Sequence, residues 1–236
     1  MKRYALAGLV LAIAVVPAHA LPPSNSVTLD HAIVVLDELA DIPLKGIPPK
    51  LLADAQGVAI IPHVVKAGFV LGGRGGHGVV FAREKDGNWG EPVFINLGGA
   101  SVGFQAGIES TDVVLVFRNR RSLDNLLDGK TKLTLGADAA VAAGPVGRMA
   151  AAATDAKLEA EILSYSRSRG LFAGVSLDGA VIYADAKSNA MFRRSIDDKK
   201  AAAMLKSKLA EMCKDKPVIL IPPVIDPPVV VPGKPR

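Results

Sequence analysis

"GFVLGGRGGHGVVFARE", residues 68–84, contains Gly73-Arg74-Gly75-Gly76-His77-Gly78, which matches the G-x-G-x-x-G fingerprint of dinucleotide-binding loops. The fingerprint has physical meaning only between a strand and a helix, because the pyrophosphate rests on a helix N-terminus. Here Val-Val-Phe-Ala-Arg follows Gly78, and that is a strand pattern. The run is therefore predicted to be a glycine-rich hairpin and not a phosphate cradle. Displaced by 102 residues, Gly68, Gly72, Val79, Val80, Phe81 and Ala82 fall on Gly170, Gly174, Val181, Ile182, Tyr183 and Ala184. Gly76-His77 falls on Asp178-Gly179, a two-residue turn signal. The fingerprint glycines Gly73, Gly75 and Gly78 become Val175, Leu177 and Ala180, so the shared feature is strand, turn, strand. A true repeat would mean two similar hairpins in a pseudo-symmetric sheet or barrel.

Around this stretch lie short β-branched and aromatic runs punctuated by glycine: Val58–Ile61, Gly68–Leu71, Val79–Arg83, Val93–Leu97, Val102–Ile108 and Val113–Phe117. Their spacing leaves no room for crossover helices, so the pairing is predicted to be mostly antiparallel. Gly170–Ser176 and Ala180–Ala184 read as two further strands. Helices are predicted where Leu29, Ile33, Leu36 and Leu39 recur, from Pro48 to Ala55, at Ser122–Asp128, in the alanine-rich stretch running through Leu163, and from Asp197 to Cys213. The fold class is α+β: a glycine-rich antiparallel sheet, open or barrel-like, flanked by helices.

The ends read differently. Met1-Lys2-Arg3, an apolar run from Tyr4 to Val16 and Pro17-Ala18-His19-Ala20 have the layout of a secretory signal cleaved after Ala20. That apolar run is 13 residues, short of the roughly 20 a spanning helix needs. Residues 21–26 then form a linker, 27–213 a single domain ending in a helix, and 214–236 a Pro-rich arm that can be neither helix nor internal strand. The reading places the mature protein in the periplasm or cell envelope. With Cys213 as its one cysteine, it has no internal disulfide and depends on core packing.

The formal charge is +5; without Lys2 and Arg3 the balance is 26 basic against 23 acidic residues, too mild for a nucleic-acid partner. Gly99-Ala100-Ser101-Val102-Gly103 matches a nucleophile elbow, yet no histidine follows His77, as the chain order Ser, acid, His requires. Gly129-Lys130-Thr131 lacks the P-loop's first glycine, Asp124 standing there. His31, His63 and His77 have no metal-ligand spacing. These readings indicate no cofactor, no metal and no enzyme, with Ser101 and an upstream His63 or His77 kept only as a third, catalytic alternative. Trp89 reads as a partly exposed packing residue, and Tyr165–Arg169 as a solvated loop or an anion contact.

Four stretches together carry a resemblance: "GVAIIPHVVKAGFVLGGRGGHGVVFAR" (57–83), "INLGGASVGFQAGIESTDVVLVF" (95–117), "KLTLGADAAVAAGPVGR" (132–148) and "YSRSRGLFAGVSLDGAVI" (165–182). Over roughly residues 30–195 the chain resembles the SYLF domain, found in eukaryotic phosphoinositide-binding and actin-patch proteins and in many exported bacterial proteins. The resemblance implies a non-enzymatic module that binds anionic lipid, with actin binding in some eukaryotic members. For an exported bacterial protein the ligand would be another acidic phospholipid or membrane surface. The eukaryotic domains are linked to an amphipathic, membrane-binding N-terminal helix; here that helix carries Asp30, Asp37, Glu38 and Asp41 without Lys or Arg, a pattern an anionic surface would repel. The head-group candidates in the matched stretches and beside them are Lys66, Arg74, Arg118, Arg120, Arg121, Arg167 and Arg169. A second basic candidate runs from Lys187 to Lys216, with nine Lys/Arg against four acids; the preferred reading of it is an amphipathic helix docked on the core with a solvated lysine face. The alternative function is a structural or protein-interaction module that docks envelope proteins through the Pro-rich arm.

Overall fold

A computed structural model describes residues 23–40, 46–129, 131–145, 160–168, 177 and 179–214. Two helices, α1 (Asn25–Ala40) and α2 (Pro49–Ala53), precede two very long strands, β1 (Gly57–Ala82) and β2 (Val93–Phe117). Then come α3 (Arg120–Leu127), β3 (Leu133–Thr134), β4 (Val141–Ala143), β5 (Ile162–Ser168), β6 (Val181–Ala184), α4 (Ala186–Phe192) and α5 (Ile196–Met212). The fold is α+β, with a mostly antiparallel sheet curled into a half-barrel and flanked by helices. Among the described residues no helix is long and apolar enough to cross a membrane.

β2 is the spine of the sheet. β1 pairs with it antiparallel along nearly its whole length, from Gly57 opposite Phe117 to Val80 opposite Val93. On its other edge β2 pairs with β6 at Ile95–Gly98 and with β5 at Thr111–Phe117. β3 extends the first end beyond β6, and β4, the one parallel partner, extends the second beyond β5. The side-chain alternation of a strand sends Val58, Ile60, Val79, Phe81, Val114 and Val116 to one core and Ala59, Ile61, Val80, Val113, Leu115 and Phe117 to another. α1 and α5 cover the first face with Leu29, Leu36, Leu205 and Leu209, all fully buried. Each such leucine contributes about 1.5–3 kcal/mol relative to exposure.

The six predicted strands between Val58 and Phe117 are thus two, and the glycine run is strand interior, not a hairpin turn. What the glycines permit is contact between the two ends of β1. Bulges between Ile61 and Val64 and between Gly68 and Val70 bend the strand, and the twist of a long ribbon does the rest. At the first bulge His63 has φ of 50°, and its N–H donates to the buried Asp112 Oδ1 at 2.9 Å. The strand returns so closely that a Cβ on Gly78 would sit on the Ile60 carbonyl oxygen and 2.8 Å from Ile61 Cα. A Cβ on Gly76 would lie 2.9 Å from Ile61 and Val64 methyls. Just past the strand, Arg83 N–H donates to Gln56 O at 2.8 Å and closes the loop. The suspected repeat shares less: Val181–Ala184 is a strand and Gly179 has φ of 73°, but Gly76-His77 is no turn. Residues 170–176 lie outside those described.

Other elements shift for local reasons. α1 begins at Asn25, inside the stretch read as linker. Ile162 and Leu163 open β5 instead of closing a helix, because Leu163 and Tyr165 feed the helix-side core while Ile162 feeds the other. Tyr165–Ser168 is likewise strand, not loop. Trp89 is buried, not partly exposed, with the Arg83 guanidinium 3.9 Å from its ring centre. Ser101 sits inside β2 opposite Gly72, so the elbow motif is strand interior.

Two glycine substitutions separate packing from phosphate binding. Gly78→Ala is expected to cost about 3 kcal/mol or more in urea unfolding, because backbone atoms must move. Gly73→Ala, with its nearest neighbour 3.9 Å away, should change stability by less than about 1 kcal/mol although it removes the same fingerprint letter. Equal effects would contradict the self-contact of β1.

Candidate basic surface and polar recess

The closure of β1 fixes where the basic residues go. Arg83 is held by three backbone carbonyls, donating from Nε to Ala55 O, from Nη2 to Leu52 O and from Nη1 to Gly87 O. The Arg83 carbonyl in turn accepts from Arg120 Nη1, and Arg120 Nε pairs with Asp124 at 2.6 Å. Asn119 caps α3 by accepting from Ser122 N. The start of α3 is therefore pinned to the point where the strand closes.

The six predicted residues that are described lie at separate places on the sheet and α3. Arg118 donates to Ala160 O, and Arg120 is committed as above. Arg167, opposite Asp112 in β5, pairs with Glu38 of α1 at 2.5 Å. Lys66 is exposed opposite Glu109, and Arg74 lies opposite Gly99 far along the ribbon. Arg169 lies outside the described residues. Asp112, beside Arg167, and Phe117, at the closed end, are five strand positions apart, roughly 17 Å. On α5, Lys206 pairs with Glu91 and Lys208 with Asp37, while Leu205, Leu209 and Met212 are buried. The docked-helix reading of that segment holds.

Arg121 differs from its neighbours. It is exposed, makes no hydrogen bond to a described residue, and lines a recess of about 410 Å³ with Ser122, Thr131, Lys132, Asp138 and Glu161. Lys132 is exposed too, its Nζ 5.7 Å from the Tyr183 ring centre. Glu161 accepts from Ser122 Oγ at 2.5 Å; that bond, the Asn119 side chain and the Arg121 charge hold its pKa below the usual carboxylate value against slight burial. Asp138 Oδ2 accepts from Thr134 N–H at 2.6 Å. Among the described residues the recess thus holds two cations and two carboxylates. Sequence reading named Arg121 alone, since the others come from separate segments.

A buried polar cluster sits on the helix-side face. His77 Nδ1 is 2.8 Å from Asn96 Oδ1 and 3.8 Å from Asp185 Oδ2, while Nε2 has no hydrogen-bond partner among the described residues. Asp185 caps α4 by accepting from Lys187 N and Ser188 N. Burial pushes the Asp185 pKa up, but hydrogen bonds from Ser188 and Asn96 and the His77 ring lower it further, so it lies below the usual value.

Comparison with known proteins points one way. Residues 98–210 match a family model described as "Ysc84: Las17-binding protein actin regulator". The chain is 43% identical over 148 residues to LAS seventeen-binding protein 3 of Saccharomyces cerevisiae, covering 62% of this chain and 32% of that protein. It is 39% identical over 177 residues to SH3 domain-containing YSC84-like protein 1 of Bos taurus, covering 73% of this chain and 51% of that protein. The Xenopus laevis protein of the same name is 40% identical over 150 residues, 64% and 44% of the two chains. The chain therefore spans between about a third and a half of these relatives. No solved structure matches it.

Because the folded pKa of Asp185 is depressed, its contribution to stability is present above the ordinary carboxylate value near 3.9 and is lost as pH falls through the folded value. Asp185→Asn, which retains a capping side chain, should flatten the loss of stability between pH 5 and pH 3 in urea titrations. An unchanged acid limb would contradict the assignment.

Proposed function

Because the chain carries a domain of the Ysc84/SYLF family, we propose that it is a non-catalytic module that binds anionic phospholipid or membrane surfaces through basic side chains meeting phosphate. The observation that carries this reading is that the exposed Arg121 and Lys132 face one recess, Arg121 with no hydrogen bond to a described residue and Lys132 held only over the Tyr183 ring among the described residues. Arg118, Arg120 and Arg167, by contrast, are engaged with carbonyls or carboxylates. Arginine suits phosphate because its planar fork can donate two hydrogen bonds at once. With Met1–Ala20 read as a secretory signal, the surface met would be that of the cell envelope.

A second reading, a protein-interaction module, is favoured by an open groove of about 470 Å³ between α1 and α5, lined by Ile33 and the 65% exposed Met204 together with the Asp37–Lys208 ion pair. The Pro-rich arm would serve as its docking element. Deleting residues 217–236 separates the two: the first reading requires vesicle binding to survive, and the second requires envelope partners to be lost.

Each basic residue near an anionic surface contributes on the order of 1 kcal/mol. Replacing both Arg121 and Lys132 with alanine should therefore weaken co-sedimentation with phosphatidylglycerol vesicles by about 30-fold at low salt. Replacing Lys199 and Lys214, two exposed lysines on and just after α5, removes the same charge and should cost far less. Binding of the parent chain should weaken with salt. Equal losses in the two pairs would contradict a local site.

A further inference from the structure

We propose that the recess takes a group carrying phosphate and a primary ammonium together, as phosphoethanolamine does. As a lipid headgroup this rests on the membrane reading above. The argument starts from charge. Arg121 and Lys132 are matched by Glu161 and Asp138, so a bare phosphate entering the recess would meet two carboxylates as well as two cations. A ligand with both poles satisfies both pairs.

The two carboxylates are ready to receive an ammonium. Glu161 is oriented by Ser122 Oγ and the Asn119 side chain, and Asp138 by the Thr134 N–H. A carboxylate offers about four lone-pair sites, so one or two structural bonds leave acceptor capacity, and a primary ammonium brings three donors. A trimethylammonium brings none and is held instead by aromatic cages. Among the described residues that line the recess none is aromatic. The chemistry therefore selects an aminophospholipid headgroup, or the free phosphomonoester, over a choline headgroup. The volume of about 410 Å³ accommodates such a group with water around it.

The test uses the full chain and vesicles of pure phosphatidylcholine, equal parts phosphatidylcholine and phosphatidylethanolamine, and equal parts phosphatidylcholine and phosphatidylglycerol, together with calorimetry on soluble O-phosphoethanolamine. The expected result is about tenfold tighter binding to phosphatidylethanolamine vesicles than to pure phosphatidylcholine. Glu161→Gln should erase that preference while leaving phosphatidylglycerol binding in place, since glutamine can still accept from Ser122. Asp138→Asn is the second variant should the first fail to fold. Phosphatidylglycerol binding without discrimination between ethanolamine and choline would overturn this inference and leave the membrane reading standing. No binding to any vesicle would sink the membrane reading. Binding of O-phosphoethanolamine that requires Arg121 and Glu161 would then assign the recess to the free compound, and its absence would overturn the proposal.

Discussion

The molecule depends on the close contact of one strand with itself. β1 runs for 26 residues, bends at two bulges, and brings Gly76 and Gly78 against Ile60, Ile61 and Val64. No side chain larger than hydrogen fits at Gly78, where the backbone of Ile60 and Ile61 occupies the space a Cβ would need. The hydrogen bond from Arg83 N to Gln56 O completes the contact. Without it, the apolar residues on both faces of the hairpin would have no common curvature on which to pack.

From that contact the basic end of the sheet is assembled in sequence. Arg83 gathers the carbonyls of Leu52 and Ala55, lies over Trp89, and offers its own carbonyl to Arg120. Arg120 fixes the first turn of α3, which leaves Arg121 facing outward. The opposite wall comes from Lys132 and Asp138, around β3, and from Glu161, whose carbonyl is tied to the N–H of Arg118. Cations near one another in the sequence thus have different surroundings: Arg83, Arg118 and Arg120 bond to backbone carbonyls of the frame, and Arg121 and Lys132 stay exposed at the recess where the proposal places a ligand. A family resemblance by itself does not make that division.

α1 and α5 were legible because period is a local property: Leu29, Leu36, Leu205 and Leu209 recur at helical spacing and are buried as expected, whereas the seven-residue α4 was not read. The antiparallel sheet was legible because no stretch between its strands could hold a crossover helix. The role of Gly76 and Gly78 was not, since a glycine in a turn and a glycine under a crossing backbone look identical until the opposing residues are known. Trp89 was misread for a similar reason, its cover being an arginine held in place by carbonyls about thirty residues upstream. β5 was misread because the alanine-rich stretch before it masked the alternation of Ile162, Leu163 and Tyr165. Of the recess, only Arg121 stood out, for the remaining charges are single residues on segments that the curled sheet brings together.

The most direct measurement is a map of backbone amide shifts in isotopically labelled protein as bicelles containing phosphatidylethanolamine and phosphatidylglycerol are added. The account predicts perturbations centred on Arg121, Ser122, Thr131, Lys132, Asp138 and Glu161, with α1 and α5 little affected. Perturbations centred instead on the α1–α5 groove around Ile33 and Met204, with the recess silent, would contradict it.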